Sequence, residues 1–232
     1  MIDLSRRNGR MLRIGHRGAA ALAPENSLEA IALAVELGCD LVEFDVHAVD
    51  GTLVVAHDEP LEAGGLPILD DVLGYLAGTG AGVHLDLKAT GAEAAVTDEL
   101  RRHRLVGRTL VSSFRRSTLR RLHAVEPELR LGRTYPQDRT GLTKRAVFHP
   151  PARTIVRGLR RALPRWIGRL LAGSSATAAV LYWEVISEPV VARCHALGAP
   201  VLAWTVDDRE VLPWLERAGV DGVVTNDPRI FA

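Results

Sequence analysis

Lysine is almost missing from this chain. Among 232 residues there are two, Lys88 and Lys144, against 27 arginines. A GC-rich coding sequence accounts for the bias, yet it leaves Lys88 as a residue to explain. Cysteine is scarce as well. Cys39 and Cys194 are too few for a disulfide framework and fit a reducing cytoplasm. Aromatics make up 5% of the chain, and no aromatic-interleaved basic groove or known motif points to nucleic acid. No run approaches 18 apolar residues free of charge, so no transmembrane helix is expected. The N-terminal MIDLSRRNGR has no apolar stretch behind its arginines, so it is not a signal peptide, and its ten residues have no evident role. What is present is ordinary for a globular protein: 47% apolar and 25% charged residues, enough to bury a core without staples.

The net charge of +1 conceals an asymmetry. From Arg139 to Arg169 there are nine cationic residues and no acid, so the rest of the chain carries about −8. A mildly acidic body bears one basic segment.

Short, nearly continuous apolar runs alternate with helical patterns. Strands are expected at Leu12–Gly15, Leu41–His47, Val83–Lys88, Thr109–Ser113, Leu129–Arg133, Ala179–Trp183, Val201–Val206 and Gly222–Thr225. Helices are expected at Ala92–Arg104, Arg115–Val125, Glu188–Leu197 and Asp208–Ala218, and at a segment that Asn26 would cap, with Glu29 as capping-box partner. Eight strands with helices between them point to an α/β fold, a (β/α)8 TIM barrel, read as one domain over residues 1–232. A doubly wound open sheet is the rival, but no GxGxxG or GxxxxGK[ST] follows a strand. Two pieces exceed a bare barrel. Asp50-Gly51 reads as a tight turn into a short extra strand after strand 2. The basic segment reads as a helical insertion near strands 5 and 6.

Residues i and i+2 of a strand share a face. Glu43, Asp45 and His47 therefore point one way, and Val42, Phe44 and Val46 the other. Asp86 and Lys88 repeat the pattern in LDLK. In a barrel these polar sets point inward near the strand C-termini, where such barrels place their active sites. Adjacent buried acids repel and persist only with compensation. Glu43, Asp45 and Asp86 form an oxygen-rich pocket suited to Mg²⁺, Ca²⁺ or Mn²⁺. A salt-bridge network with Lys88 and Arg17 explains the same acids without a metal. His16 and His57 each sit where an apolar run turns into a loop. Single histidines are mostly structural, but two beside a carboxylate cluster suit proton transfer in phosphoryl chemistry.

The sequences HRGAAALAPENS, VEFDVHAVDGTLVVAHD, HLDLK, AWTVDD and AGVDGVVTNDP occur in that order from about residue 14 to 228. They resemble the motifs of the glycerophosphodiester phosphodiesterase family, leaving residues 134–178 poorly matched. The resemblance implies a (β/α)8 barrel that hydrolyses glycerophosphodiesters to an alcohol and glycerol 3-phosphate with one divalent cation. By analogy His16 and His57 are the acid–base pair, and Glu43, Asp45 and Asp86 hold the metal. Arg17 and Lys88 bind phosphate, and Trp204 packs against the glycerol end, unless it is a plain core aromatic. A related two-step route through a cyclic phosphate suits a sequence with no obvious enzyme nucleophile. Asp86 departs from the family, which usually has Glu there. A segment after His57-Asp58 shorter than is frequent in the family suggests an open site.

Residues 152–172 are amphipathic at helical spacing. Ile155, Leu159, Ala162, Leu163, Trp166 and Leu170 face one side, Arg153, Arg157, Arg160 and Arg161 the other, and Pro164 interrupts. This is either a barrel helix with its arginines in water or a surface helix for anionic headgroups, with membrane contact through 144–172. The second reading implies lysophospholipid substrates and a position on the inner membrane face. Three functions follow: a glycerophosphodiesterase, a lysophospholipase D-like lipase, or a silent lipid- or phosphate-binding barrel.

Overall fold

The strands close into a ring. The computed structural model describes residues 1–6, 8–58, 62–137 and 150–232, the last stretch without the side chains of 150–153. In sequence order the strands are β1 (Leu12–Gly15), β2 (Leu41–Val49), β3 (Thr52–Val55), β4 (Gly82–Leu87), β5 (Thr109–Ser113), β6 (Arg130–Tyr135), β7 (Ala178–Tyr182), β8 (Val201–Trp204) and β9 (Gly222–Thr225). All except β3 are parallel, and β9 returns to pair with β1, which also pairs with β2. The ring has eight members, and the open-sheet rival is excluded. β3 lies outside it, antiparallel to β2. The hairpin turn is Asp50-Gly51 as expected, with both residues at positive φ (49° and 82°), the backbone a two-residue turn of this hand demands.

Helices cover the ring: α1 (Leu28–Glu36), α2 (Leu69–Ala77), α3 (Glu93–Arg102), α4 (Arg116–Val125), α5 (Pro150–Ala162), α6 (Ile167–Ala172), α7 (Glu188–His195) and α8 (Leu212–Arg217). The outward faces of the strands explain this cover. Val42, Phe44 and Val46 are fully buried and cluster with Ile31 and Ala34 of α1 and Val72, Leu73 and Leu76 of α2.

The interior of the ring is layered. At the N-terminal end of the strands Leu12, Ile14, Leu41, Leu110, Ala178 and Leu202 pack together. Ile2 and Leu4 close that end from below, 8% and 2% exposed. The first ten residues were expected to be idle; this plug corrects that, since an unsealed barrel floor would leave leucines in water.

Two further expectations fail for local reasons. Asn26 does not cap α1. Its φ is +59°, outside the extended region an N-cap occupies, and its side chain is buried elsewhere. Ser27 caps instead, its Oγ accepting from Ala30 N–H at 3.0 Å. In the basic segment, Ile155 is not on the buried face but half exposed, at 50%. Val156, Leu163, Ile167 and Leu171 are buried against β7 and β8 residues, with Leu159, Trp166 and Leu170 packed beside them. A 3₁₀ turn at Leu163–Arg165, around Pro164, separates α5 from α6, so one continuous helical phase does not run through both. Arg157, Arg161, Arg165 and Arg169 stay exposed, as a barrel helix with its arginines in water requires. Arg160 instead covers the Trp214 ring at 4.9 Å. Arg139, Lys144, Arg145 and the Arg153 side chain lie outside the described residues. No described helix is long and apolar enough to cross a membrane.

Candidate active site

Register decides which acids meet. Along the parallel pairs, Asp45 on β2 sits beside Asp86 on β4, and Asp86 beside Ser112 on β5. Because their neighbours are the outward-facing valines and leucines, these polar side chains point into the ring. Glu43, Asp45 and Asp86 each offer a carboxylate oxygen within 4.8 Å of the others, and all three are buried. The expected salt-bridge network is also there. Lys88 Nζ lies 2.9 Å from Asp45 Oδ1 and pairs with Asp86 Oδ2, and Arg17 Nε lies 3.2 Å from Asp45 Oδ2.

Three acids against two cations leave one acid short. Burial, then the charges of Asp45 and Asp86, push the Glu43 carboxyl well above the usual range; the 2.9 Å hydrogen bond from the Arg17 backbone N–H offsets only part. Burial pushes Asp45 the same way, but Lys88 and Arg17 outweigh it and hold its carboxyl low. Burial works against the Lys88 charge too, and Asp86 and Asp45 overcome it, raising its pKa. The donor set is therefore hard and oxygen-only, and with Glu43 ionised it would exceed its own counter-charges by one, which fits a divalent cation such as Mg²⁺ or Ca²⁺. A second group, Asp70, Glu99 and His103, lies between α2 and α3, where Arg102 pairs with both acids.

The loop after β1 supplies His16 and Arg17. Arg17 has φ +50°, an uncommon conformation for a side chain of this size, and Gly18 follows at φ +81°. A Cβ on Gly18 would stand 2.4 Å from the Ala30 carbonyl carbon, so only glycine lets the loop lie on α1. This turn aims the Arg17 backbone at Glu43 and its guanidinium at Asp45. His16 Nδ1 is 2.7 Å from Asn226 Oδ1. Asn226 in turn donates its side-chain amide to Asp207 at 2.6 Å and its backbone N–H at 2.8 Å. Since the Asp207 carboxylate accepts, the Asn226 oxygen must face the imidazole. That places the proton on Nδ1 and leaves Nε2, 3.9 Å from Glu43 Oε2, with a free lone pair. Burial and Arg17 push the His16 pKa down to about 4.

His57 ends the hairpin. Its Nδ1 lies 3.4 Å from Asp58 Oδ1 and 4.0 Å from Glu25 Oε1, and Glu25 accepts from Arg17 Nη1 at 2.5 Å. Burial, then Arg17, lower its pKa. His47 Nε2 approaches the His57 carbonyl at 3.4 Å. Trp204, at the end of β8, donates its indole N–H to the Val180 carbonyl at 3.1 Å and meets Phe114 edge-on with centroids 6.0 Å apart. Lys88 Nζ sits 5.4 Å from the centre of the same Phe114 ring, so the aromatic wall borders the carboxylates.

Sequence reasoning missed the supports. Asn26 bonds Asp45 twice, its amide to Oδ2 and its oxygen to the Asp45 N–H, both at 3.1 Å. Asn226 and Asp207 hold His16. Ser112 Oγ donates to Asp86 Oδ1 at 2.6 Å, and His84 Nε2 is 3.0 Å from Ser112 Oγ. His84 was findable: it lies two residues before Asp86, on the same face of β4.

The family model for glycerophosphoryl diester phosphodiesterases matches residues 16–65 and 85–230. A glycerophosphodiester phosphodiesterase of Caldanaerobacter subterraneus subsp. tengcongensis is 27% identical over 254 residues, covering 94% of each chain. A probable glycerophosphodiester phosphodiesterase of Mycobacterium tuberculosis is 28% identical, covering 95% of this chain and 89% of that one. Two solved structures share the fold. A putative glycerophosphoryl diester phosphodiesterase from Silicibacter pomeroyi has a TM-score of 0.77 at 24% identity, over 98% of this chain and 95% of that one. An Oleispira antarctica phosphodiesterase, in complex with the product sn-glycerol-3-phosphate, has a TM-score of 0.72 at 24% identity over 94% of each. The barrel, its inward acids and the matched motifs agree, and the chain belongs to the glycerophosphoryl diester phosphodiesterase family, a family of phosphoric diester hydrolases.

Proposed function

We propose that the protein hydrolyses glycerophosphodiesters to an alcohol and sn-glycerol 3-phosphate, with one divalent cation held by Glu43, Asp45 and Asp86. The observation that carries this is the convergence of three buried carboxylates, two cations and the His16 imidazole at the C-terminal end of one barrel, with His57 beside Glu25, which Arg17 also binds. When bound, the cation would offset the charge that develops on the phosphoryl oxygens. Arg17 and Lys88 bind the phosphodiester anion, and Trp204 packs against the glycerol. His16, with Nε2 unprotonated and its ring fixed by Asn226, takes the proton of a glycerol hydroxyl as that oxygen bonds to phosphorus. His57, at the rim beside Asp58, gives a proton to the alcohol oxygen as its bond to phosphorus breaks. The phosphodiester anion supplies negative charge near Arg17, which otherwise disfavours a protonated His57. The product of this step is a cyclic phosphate. In the second step His57 takes a proton from water, the water oxygen opens the ring, and His16 returns a proton to the glycerol oxygen. The glycerol phosphate complex of the Oleispira antarctica phosphodiesterase supports the same product here.

Release of glycerol 3-phosphate from glycerophosphodiesters, with Mg²⁺, Ca²⁺ or Mn²⁺ and then EDTA, tests this. Release that stops with EDTA and resumes on adding metal is expected. No cleavage with any metal would leave the silent binding barrel.

The basic helix supports a second reading, lysophospholipase D-like action by a cytoplasmic protein docked on the inner membrane face. α5 packs against Trp183–Val185, the turn after β7 on the catalytic side of the barrel, and Ile155 and Arg157 of α5 are both exposed. Deleting 144–172 would remove Leu163, Ile167 and Leu171 from the barrel wall, so the test is substitution. Vesicles rich in phosphatidylglycerol should bind the wild type and lose the variant Arg157→Gln/Arg161→Gln/Arg165→Gln; equal binding rejects this reading.

A further inference from the structure

The C-terminal ends of β2, β4 and β5, with Gln137 after β6, enclose a cavity of about 290 Å³ beside the carboxylate cluster. That is room for roughly ten waters. Lys88 belongs to both places: its ammonium bridges Asp45 and Asp86, and its stem lines the cavity. His47, on the cavity wall, approaches the His57 carbonyl, so the hairpin that carries the proposed proton donor borders this space.

The lining states what a leaving alcohol bound there would carry. Among the described residues the remaining polar walls are Thr90, Ser113, Arg115 and Gln137, and no carboxylate belongs to that described lining. Asp45 and Asp86 balance the Lys88 charge. Arg115 has no carboxylate partner among the described residues; its guanidinium donates to the Lys88 carbonyl, which pins it at the mouth. The cavity is therefore positive on balance and rich in hydrogen-bonding groups. A cationic headgroup would need an acid or an aromatic cage. Among the described residues Phe114 is the one phenyl or indole ring in the lining, and the Lys88 ammonium already lies 5.4 Å from its centre.

We infer that this cavity is the leaving-alcohol subsite, and that it selects a polyol, an alcohol of the glycerol or inositol type, over cationic amino alcohols such as choline or ethanolamine. The inference rests on the phosphodiesterase reading above and names its substrate class. Hydroxyls find donors in Arg115 and Gln137 and a partner in exposed Thr90, while the buried Ser113 hydroxyl is held by the Leu87 carbonyl and the Arg115 backbone N–H. An ammonium meets the Arg115 charge with no carboxylate among the described lining residues to offset it.

The test is the ratio of kcat/KM for glycerophosphoinositol to that for glycerophosphocholine, measured with the metal-loaded full chain. A wild-type ratio of tenfold or more is expected. Arg115→Glu, at an exposed position, should lower the ratio at least tenfold, and Thr90→Asp, on the neighbouring loop after β4, should shift it in the same direction. A wild-type ratio near one, or a ratio unmoved by both variants, overturns the subsite while leaving the phosphodiesterase reading intact. Failure to cleave either diester overturns both.

Discussion

The two ends of the barrel interior are built from the same strands and do opposite work. At the N-terminal end Leu12, Leu41, Leu110 and Leu202 fill the ring, and Ile2 and Leu4 seal it. A few residues along the same strands, the inward positions become Glu43, Asp45, His84 and Asp86, buried just as deeply. The floor is what burial of apolar surface favours. The mouth is what burial disfavours: Glu43 is pushed up by its surroundings, and His16 and His84 are both pushed down to about 4. Charges opposed by their environment are concentrated at one end, which is where such groups gather when chemistry is their purpose.

The largest expected effect separates the ends by activity. His16→Ala should lower kcat/KM by roughly 10²–10⁴, checked by steady-state kinetics, with the folded state retained by circular dichroism. The converse change, Leu202→Ala in the floor, should cost about 2–5 kcal/mol of stability by denaturant unfolding, with kcat per folded molecule little changed. If Leu202→Ala abolished activity at constant fold, the division of labour would be wrong.

Protons sharpen the contrast next. A buried imidazole with a depressed pKa binds fewer protons folded than unfolded. Its stabilisation is complete above the unfolded value near 6.5 and is lost as pH falls towards about 4. For a shift of that size the loss is on the order of 3 kcal/mol per group. Stability of the protein in EDTA should therefore fall as pH drops across this window, and His84→Gln should flatten the slope. A stability profile flat between pH 6.5 and 4 would contradict it. The smallest effect concerns a support. Ser112→Ala removes the hydroxyl that grips Asp86 and should weaken divalent-metal affinity by about tenfold or less, roughly 1 kcal/mol, with Ser112→Thr restoring part of it.

Much of this was legible before any coordinates. The ring and the extra strand followed from eight apolar runs and Asp50-Gly51, because parallel strands buried on both faces and a positive-φ turn leave direct marks in sequence. The acids were legible because alternation in β2 and β4 assigns faces, and His16 and His57 because each sits where an apolar run turns into a loop. What escaped was whatever depends on two distant segments meeting. Asn26 has the residue type of a helix cap, and only the approach of its loop to β2 shows that Asp45 claims the side chain instead. Asn226 and Asp207 are polar loop residues in sequence; the closure of β9 on β1 makes them the holders of His16. Ile2 and Leu4 lie outside any periodic pattern, and their role exists only because a barrel has a floor. Ile155 was set on the buried face, where Val156 lies instead, because one helical phase was read through Pro164.

The central claim is that the mouth carboxylates form one divalent-cation site. Calorimetric titration of metal-free protein with Mn²⁺ tests it directly. One saturable site per chain is predicted for the wild type, with none in the variant Glu43→Gln/Asp45→Asn/Asp86→Asn. Equal binding by the two proteins, or no saturable binding by the wild type, would contradict it.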